Sequence, residues 1–226
     1  GVIQINSTEF AFAALKDDGS VITWGEWDIT YGGDSSSVSS SLSSGVSQIY
    51  SNRHAFAALK NDGSVITWGH SEKGGDSSSV SSALSSGVSQ IYSAEYAFAA
   101  LKDDGSVITW GNSTYGGNSS SVSSSLSSGV SQIYSNQGAF AALKDDGSVI
   151  TWGNSTYGGD SSSVDSSLSS GVSQIYSNRH AFAALKDDGS VITWGNSTYG
   201  GDSSSVNSSL SSGVVGLFDP YTNDIF

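Results

Sequence analysis

No Cys and no Met occur in the chain, Pro occurs once, and Lys and Arg together number eight. Without thiols there is no disulfide framework, no thiolate metal site and no cysteine nucleophile. Against the eight cations stand 21 Asp and Glu, a formal net charge of −13. Nucleic acids and anionic membranes are both held by cationic surface, so neither is an expected partner. No apolar run approaches the roughly 20 residues of a membrane-spanning helix, so membrane insertion is not expected. The chain opens Gly-Val-Ile, with no basic-then-apolar leader. It reads as a processed product or a piece of something longer.

What the chain does have is Ser, at 55 of 226 positions, and Gly at 28. That bias alone describes a flexible, low-complexity polymer. Yet 36% of residues are hydrophobic and 11% aromatic, too many for a chain with nothing to bury. Self-similarity resolves the conflict. GVSQIYS begins at Gly45, Gly87, Gly129 and Gly171, 42 residues apart each time, and the variant GVIQINS opens the chain. The repeats are 1–44, 45–86, 87–128, 129–170 and 171–212, followed by a partial closing or capping copy over 213–226. No linker or second domain separates them, so 1–226 reads as one repeat domain.

Each repeat contains three strand-like runs, GVSQIY, AFAALK and SVITWG. The last two are joined by a KDDGS-type turn whose Asp-Gly pair signals a hairpin. AFAALK and SVITWG are apolar on both faces, which requires cover from both sides. One repeat cannot cover its own strands twice, so its neighbours must. The remaining segment, GGDSSSVSSSLSSG, offers Asp34, Asp76, Asp160 and Asp202 as N-caps, with Asn118 in the third repeat, and Gly45 and its counterparts as C-caps. Val and Leu four residues apart fit a short helix across the strands. Serine is a poor helix former, so an outer extended strand competes.

The stretch GVSQIYSNRHAFAALKNDGSVITWGHSEKGGD resembles the repeat of the regulator of chromosome condensation family. The matching residues are His54, Ala55 to Leu59, Asp62-Gly63, Trp68-Gly69 and, in later copies, Asn112 with Tyr115-Gly116-Gly117. The resemblance covers every full repeat and implies a β-propeller with about one blade per repeat. Family members have seven longer repeats and a proline-containing blade-closing strand, which the serine segment replaces here. The expected fold is therefore all-β, a five-bladed β-propeller with a short polar segment per repeat. An open superhelical repeat stack is the alternative. Five-bladed lectin propellers of the tachylectin type are similar in plan only, by analogy of architecture and repeat number.

Any binding is expected from loops rather than strands; the other reading is that exposed loops simply drift because packing does not constrain them. The copies differ after the first strand (Thr8-Glu9-Phe10, Asn52-Arg53-His54, Ala94-Glu95-Tyr96, Asn136-Gln137-Gly138, Asn178-Arg179-His180) and after Trp-Gly. The resemblance to this propeller family implies that both loops emerge at or near one face, as a binding surface led by Trp27, Tyr31, Arg53, His54, Tyr96, Tyr115, Tyr157, Arg179, His180 and Tyr199. The first repeat, with its inserted residues 26–30, should be the odd site. The repeated Trp24, Trp68, Trp110, Trp152 and Trp194 read as packing between units, with the indole N–H on a neighbouring carbonyl.

KDDGS supplies too few oxygens for calcium, so no metal and no cofactor is expected. Neither a Gly-x-Ser-x-Gly elbow nor a phosphate loop nor His-Glu-x-x-His occurs, and the expectation is no enzyme. Sequons at Asn6, Asn112, Asn118, Asn154, Asn196 and Asn207 would matter only in a eukaryotic secretory route. The expected role is a non-enzymatic, secreted or cell-surface structural or adhesive module. Its partner would be a protein surface, or itself through strand edges. A multivalent carbohydrate-binding lectin with pockets between the variable loops is the other reading.

Overall fold

The computed structural model describes residues 1–26 and 30–216. Among the described residues, fifteen strands form five three-stranded antiparallel sheets, one per repeat, each in sequence order. The first repeat contributes β1 (Val2–Ser7), β2 (Ala11–Lys16) and β3 (Val21–Gly25). The second contributes β4 (Val46–Ser51), β5 (Ala55–Lys60) and β6 (Val65–Gly69), and the third β7 (Val88–Ser93), β8 (Ala97–Lys102) and β9 (Val107–Gly111). The fourth has β10 (Val130–Ser135), β11 (Ala139–Lys144) and β12 (Val149–Gly153), and the fifth β13 (Val172–Ser177), β14 (Ala181–Lys186) and β15 (Val191–Gly195). The three runs read from the sequence are these strands. The chain divides into two compact bodies, Gly1–Asn118 and Ser119–Phe226. No helix of the described residues is long and apolar enough to cross a membrane.

The hairpin turn behaves as its Asp-Gly pair predicts. Gly19 N donates to the Lys16 carbonyl and Lys16 N to that of Ser20, both at 2.9 Å. Gly19 sits at φ +76, the left-handed residue that closes a three-residue loop. The Asp18 carboxylate accepts from Ser20 N at 3.0 Å and from Ser20 Oγ at 2.6 Å. Those bonds hold its pKa well below the usual carboxylate range.

Strand alternation explains why both faces are apolar. In the first body, Ala55, Ala57 and Leu59 point one way with Leu84, onto Phe98, Ala100 and Trp110 of the third repeat. Phe56 and Ala58 point the other way, with Trp68, onto Ala11, Ala13, Leu15 and Leu42 of the first repeat. The second body repeats the scheme: Ala139, Ala141, Leu143 and Leu168 cover Phe182, Ala184 and Trp194. Each sheet thus has a small-residue face and an aromatic face, and within each body successive sheets mate unlike faces. Phe56 and Trp68 are cross-strand partners with ring centroids 5.1 Å apart, nearly parallel.

The Gly-Gly pair ending each Trp-Gly loop completes the contact. Trp68 Nε1 donates to the Gly32 carbonyl at 3.0 Å, Trp110 Nε1 to Gly74 and Trp194 Nε1 to Gly158, both at 3.1 Å. The inter-unit packing expected of the tryptophans is observed at these three positions. A Cβ on Gly74, at φ +104, would lie 2.6 Å from the Phe98 ring, so the loop reaches the next sheet only because that residue is glycine.

The serine segment is neither a regular helix nor a strand. It makes 3-10 turns at Ser36–Val38, Ser78–Val80, Ser120–Val122 and Ser204–Ser209, and a single α-turn at Asp165–Leu168. Leu42, Leu84, Leu126 and Leu168 are at most 2% exposed. The Leu42 carbonyl accepts from Val21 N and that of Leu84 from Val65 N, which docks the segment beside its own third strand. Two expectations about its ends need correction. Asp34 and Asp76 stand one residue before the N-cap position, held by Ser35 and Ser77. Their carboxylates instead accept from Ser36 N and Ser78 N at 2.8 Å, a local turn that serine's weak helicity leaves standing. Gly45, at φ +75, does not end the turn, which stops at Val38. It joins the segment to β4, where Val46 N donates to the Gly19 carbonyl.

The partial closing copy begins alike, with Val214 N donating to the Gly189 carbonyl at 3.0 Å. Gly213 to Gly216 form no strand, and residues 217–226 lie outside the described residues.

The same residue therefore has opposite worth at two repeats. Phe98 is fully buried, whereas Phe12 is 44% exposed. Phe98→Ala should cost about 3–5 kcal/mol in urea unfolding, and Phe12→Ala about 1 kcal/mol or less in the dilute chain. Equal costs would contradict this packing scheme.

Candidate functional site

The two variable loops of a repeat are stitched together by one side chain. Asn52 accepts at Oδ1 from His54 N (2.9 Å) and Ala55 N (2.8 Å), while Nδ2 donates to the Lys73 carbonyl at 2.7 Å. Asn136 makes the same three bonds, to Gly138 N, Ala139 N and the Tyr157 carbonyl, as does Asn178 to His180 N, Ala181 N and the Tyr199 carbonyl. In the first repeat Thr8 substitutes, its Oγ1 accepting from Ala11 N and donating to the Tyr31 carbonyl at 2.9 Å. Backbone rungs join loop to loop across repeats: Glu9 N to the Arg53 carbonyl, Arg53 N to that of Glu95 and, in the second body, Gln137 N to that of Arg179.

On this frame the rings form rows. In the first body Phe10 meets Tyr31 (centroids 4.6 Å), Tyr31 meets His54 (5.5 Å), His54 meets Tyr96 (5.5 Å) and Tyr96 meets Tyr115 (4.6 Å). Lys73, where other repeats have Tyr, lies 4.7 Å over the Tyr96 ring. In the second body Tyr157 stacks on His180 (5.3 Å) and His180 on Tyr199 (4.5 Å). Gly138 takes the ring position of the fourth repeat, and a Cβ there would lie 2.7 Å from Tyr157. The structure thus brings Tyr31, Arg53, His54, Tyr96 and Tyr115 together in one body, and Tyr157, Arg179, His180 and Tyr199 in the other. Trp27 lies outside the described residues.

These rings are less open than free-standing loop aromatics would be. Tyr31, Tyr96, Tyr115, Tyr157 and His180 are half-buried, and Phe10, at 47%, and Tyr199, at 55%, are exposed. His54, expected at the surface, is buried. The reason is stacking: each ring is covered by the one before and after it, so little face is left to solvent.

Charge on the first body is concentrated around one cation. Arg53 bonds Glu9 through both ends of its fork (2.8 and 3.0 Å) and Glu95 at 2.7 Å, linking three repeats. The guanidinium holds the Glu9 carboxyl below its ordinary range, and the two carboxylates raise Arg53 in turn. In the second body Arg179 Nε meets the neutral Gln137 at 2.9 Å. Sequence reading picked out Arg53 and His54 but missed Glu9, Glu95, Asn52, Asn136, Asn178 and Gln137. The recurrence of Asn at the first loop position in three repeats was the available signal. Among the described residues no group of three His, Asp or Glu is arranged to hold a metal ion.

Burial lowers His54 to about 4, with Lys73 adding to the effect and Glu9, 3.8 Å away, opposing it. Unfolded His54, near its ordinary 6.5, takes a proton that the folded residue refuses. This contribution to stability is present above pH 6.5 and is lost as pH falls towards 4. His54→Phe, the residue of the equivalent position in the first repeat, should remove that component. Between those pH values the unfolding free energy of the wild type should fall relative to that of the variant, and below them the two should run parallel; a constant difference across the window would refute the assignment.

No protein-family model matches the sequence, and the search of curated proteins found no match. Solved structures do share the fold. Human WBSCR16 is 20% identical with a TM-score of 0.52, over 86% of this chain and 61% of that one. Yeast RCC1 (Prp20), in its structure with Kap60, is 17% identical with a TM-score of 0.52, over 86% and 56%. The ectodomain of the receptor kinase CR4 from Physcomitrella patens is 14% identical with a TM-score of 0.51, over 86% and 52%. The chain spans between half and two thirds of the length of these structures. In fold it is similar to the RCC1-type β-propeller proteins.

Proposed function

We propose that the chain is a non-enzymatic binding scaffold: five blades of a propeller-type array that hold the loop rows as a stiff surface for protein partners. The observation that carries this reading is the preorganisation of the rows. Asn side chains clamp the paired loops, Arg53 bridges three repeats, and the rings stack without needing a ligand to order them. A surface already ordered loses little entropy on binding, and Tyr and Arg are the residue types that dominate protein interfaces.

Neighbours of this fold bind proteins: one structure holds yeast RCC1 (Prp20) bound to Kap60, and another treats the binding of Prp20p to Gsp1p and histones. A secreted or cell-surface setting is proposed with this role. The absence of oxidisable Cys and Met and the serine-rich surface support it. The fold also occurs in the CR4 ectodomain.

Immobilised protein screened against extracellular proteins and a glycan array tests the reading. A protein ligand is expected, with affinity falling about tenfold in Tyr199→Ala and Arg179→Ala while the thermal midpoint barely moves. Clean binding to one sugar class, with no protein ligand, would overturn it in favour of the lectin.

A further inference from the structure

The first sheet turns an apolar face to solvent. Phe12, Ile22 and Trp24 are 44%, 53% and 43% exposed, and Ile5 is 59% exposed. Of their second-repeat counterparts, Ile49, Phe56 and Trp68 are 1%, 0% and 3% exposed and Ile66 is half-buried. The protein shows three times what covers such a face: the Ala-Ala-Leu face, serine-segment Leu and Gly-Gly carbonyl of the preceding repeat.

The fifth repeat carries that complementary surface open. Val206 is 49% exposed, Gly200 is exposed, and Ala183 and Leu210 are half-exposed. Gly32, Gly74, Gly116 and Gly158 are all buried, and Ala13, Ala57, Ala99 and Ala141 are fully buried. The first sheet keeps on this face the residue types of the covered repeats: Phe12, Ile22 and Trp24 stand where the second repeat has Phe56, Ile66 and Trp68.

We propose that the Phe12–Ile22–Trp24 face of one chain takes the Ala183–Val206–Leu210 face of a second copy, so that chains associate head to tail. Trp24 Nε1 donates to the Gly200 carbonyl of the second copy, the bond Trp68 makes to Gly32. The contact is heterologous, so it propagates from copy to copy rather than stopping at a symmetric dimer. It joins sheet faces, not the strand edges by which self-association was expected. The inference extends the blade reading, since the array continues across the junction, but needs nothing from the loop rows.

Sedimentation velocity and light scattering on the whole chain test it. Wild type should form a concentration-dependent series of multiples of 23.1 kDa. Ile22→Lys and Val206→Lys, each a charge placed at one exposed face, should both be monomeric with unchanged circular dichroism. Mixed in equal amounts, they retain one intact face each and should form a dimer that grows no further. Trp24→Phe keeps the apolar face and removes one donor, and should weaken association about fivefold. A wild type monomeric at every concentration would overturn the proposal, as would either Lys variant assembling alone or a mixture that forms no dimer. Loop binding intact in such a monomer would leave the scaffold function standing.

Discussion

Everything regular in this protein depends on one contact: an aromatic sheet face pressed against the small-residue face of the repeat before it. Phe56 on Trp68, or Phe98 on Trp110, fills the space that Ala and Gly leave open. Dispersion and apolar burial drive that contact, and the indole N–H meets a carbonyl that would otherwise be buried without a partner. Nothing inside a single repeat could do both, because a three-stranded sheet has no interior. The apolar core therefore lies between repeats rather than within them.

The loop rows follow from this geometry. Once sheets are spaced by the Phe–Ala contact, equivalent loops recur at a fixed separation, close enough for backbone rungs and stacked rings. Side chains that differ between repeats then meet one another, and Arg53 finds a carboxylate in each flanking repeat. The row is at once structural and available for recognition, since its rings are held while Tyr199 and Arg179 stay open. Burial of His54 in the row, which holds it neutral at physiological pH, is one consequence of that spacing.

Charge and serine deal with the remaining surface. An acidic chain of net charge −13 repels its own copies at long range, while the apolar end faces attract at contact. The serine segments cover the sheets with little apolar surface of their own. Each is pinned by one buried Leu and one backbone bond rather than by helix propensity.

Much of this was legible in the chain itself. The repeat period, the three strands, the hairpin glycines and the inter-repeat role of Trp are local patterns, because strand alternation and turn chemistry act over a few residues. The serine segment reads from sequence as helix or strand, since neither propensity nor periodicity decides so short a stretch. Its form as brief turns was set by where Leu42 could dock against β3. The stacked rows, the Arg53 bridge and the burial of His54 were not legible, because they join residues about 42 positions apart whose meeting depends on the spacing of sheets. The contrast between Phe12 and Phe98 is of the same kind. The two are identical in local sequence, and only the presence of a sheet in front of one of them decides which is core.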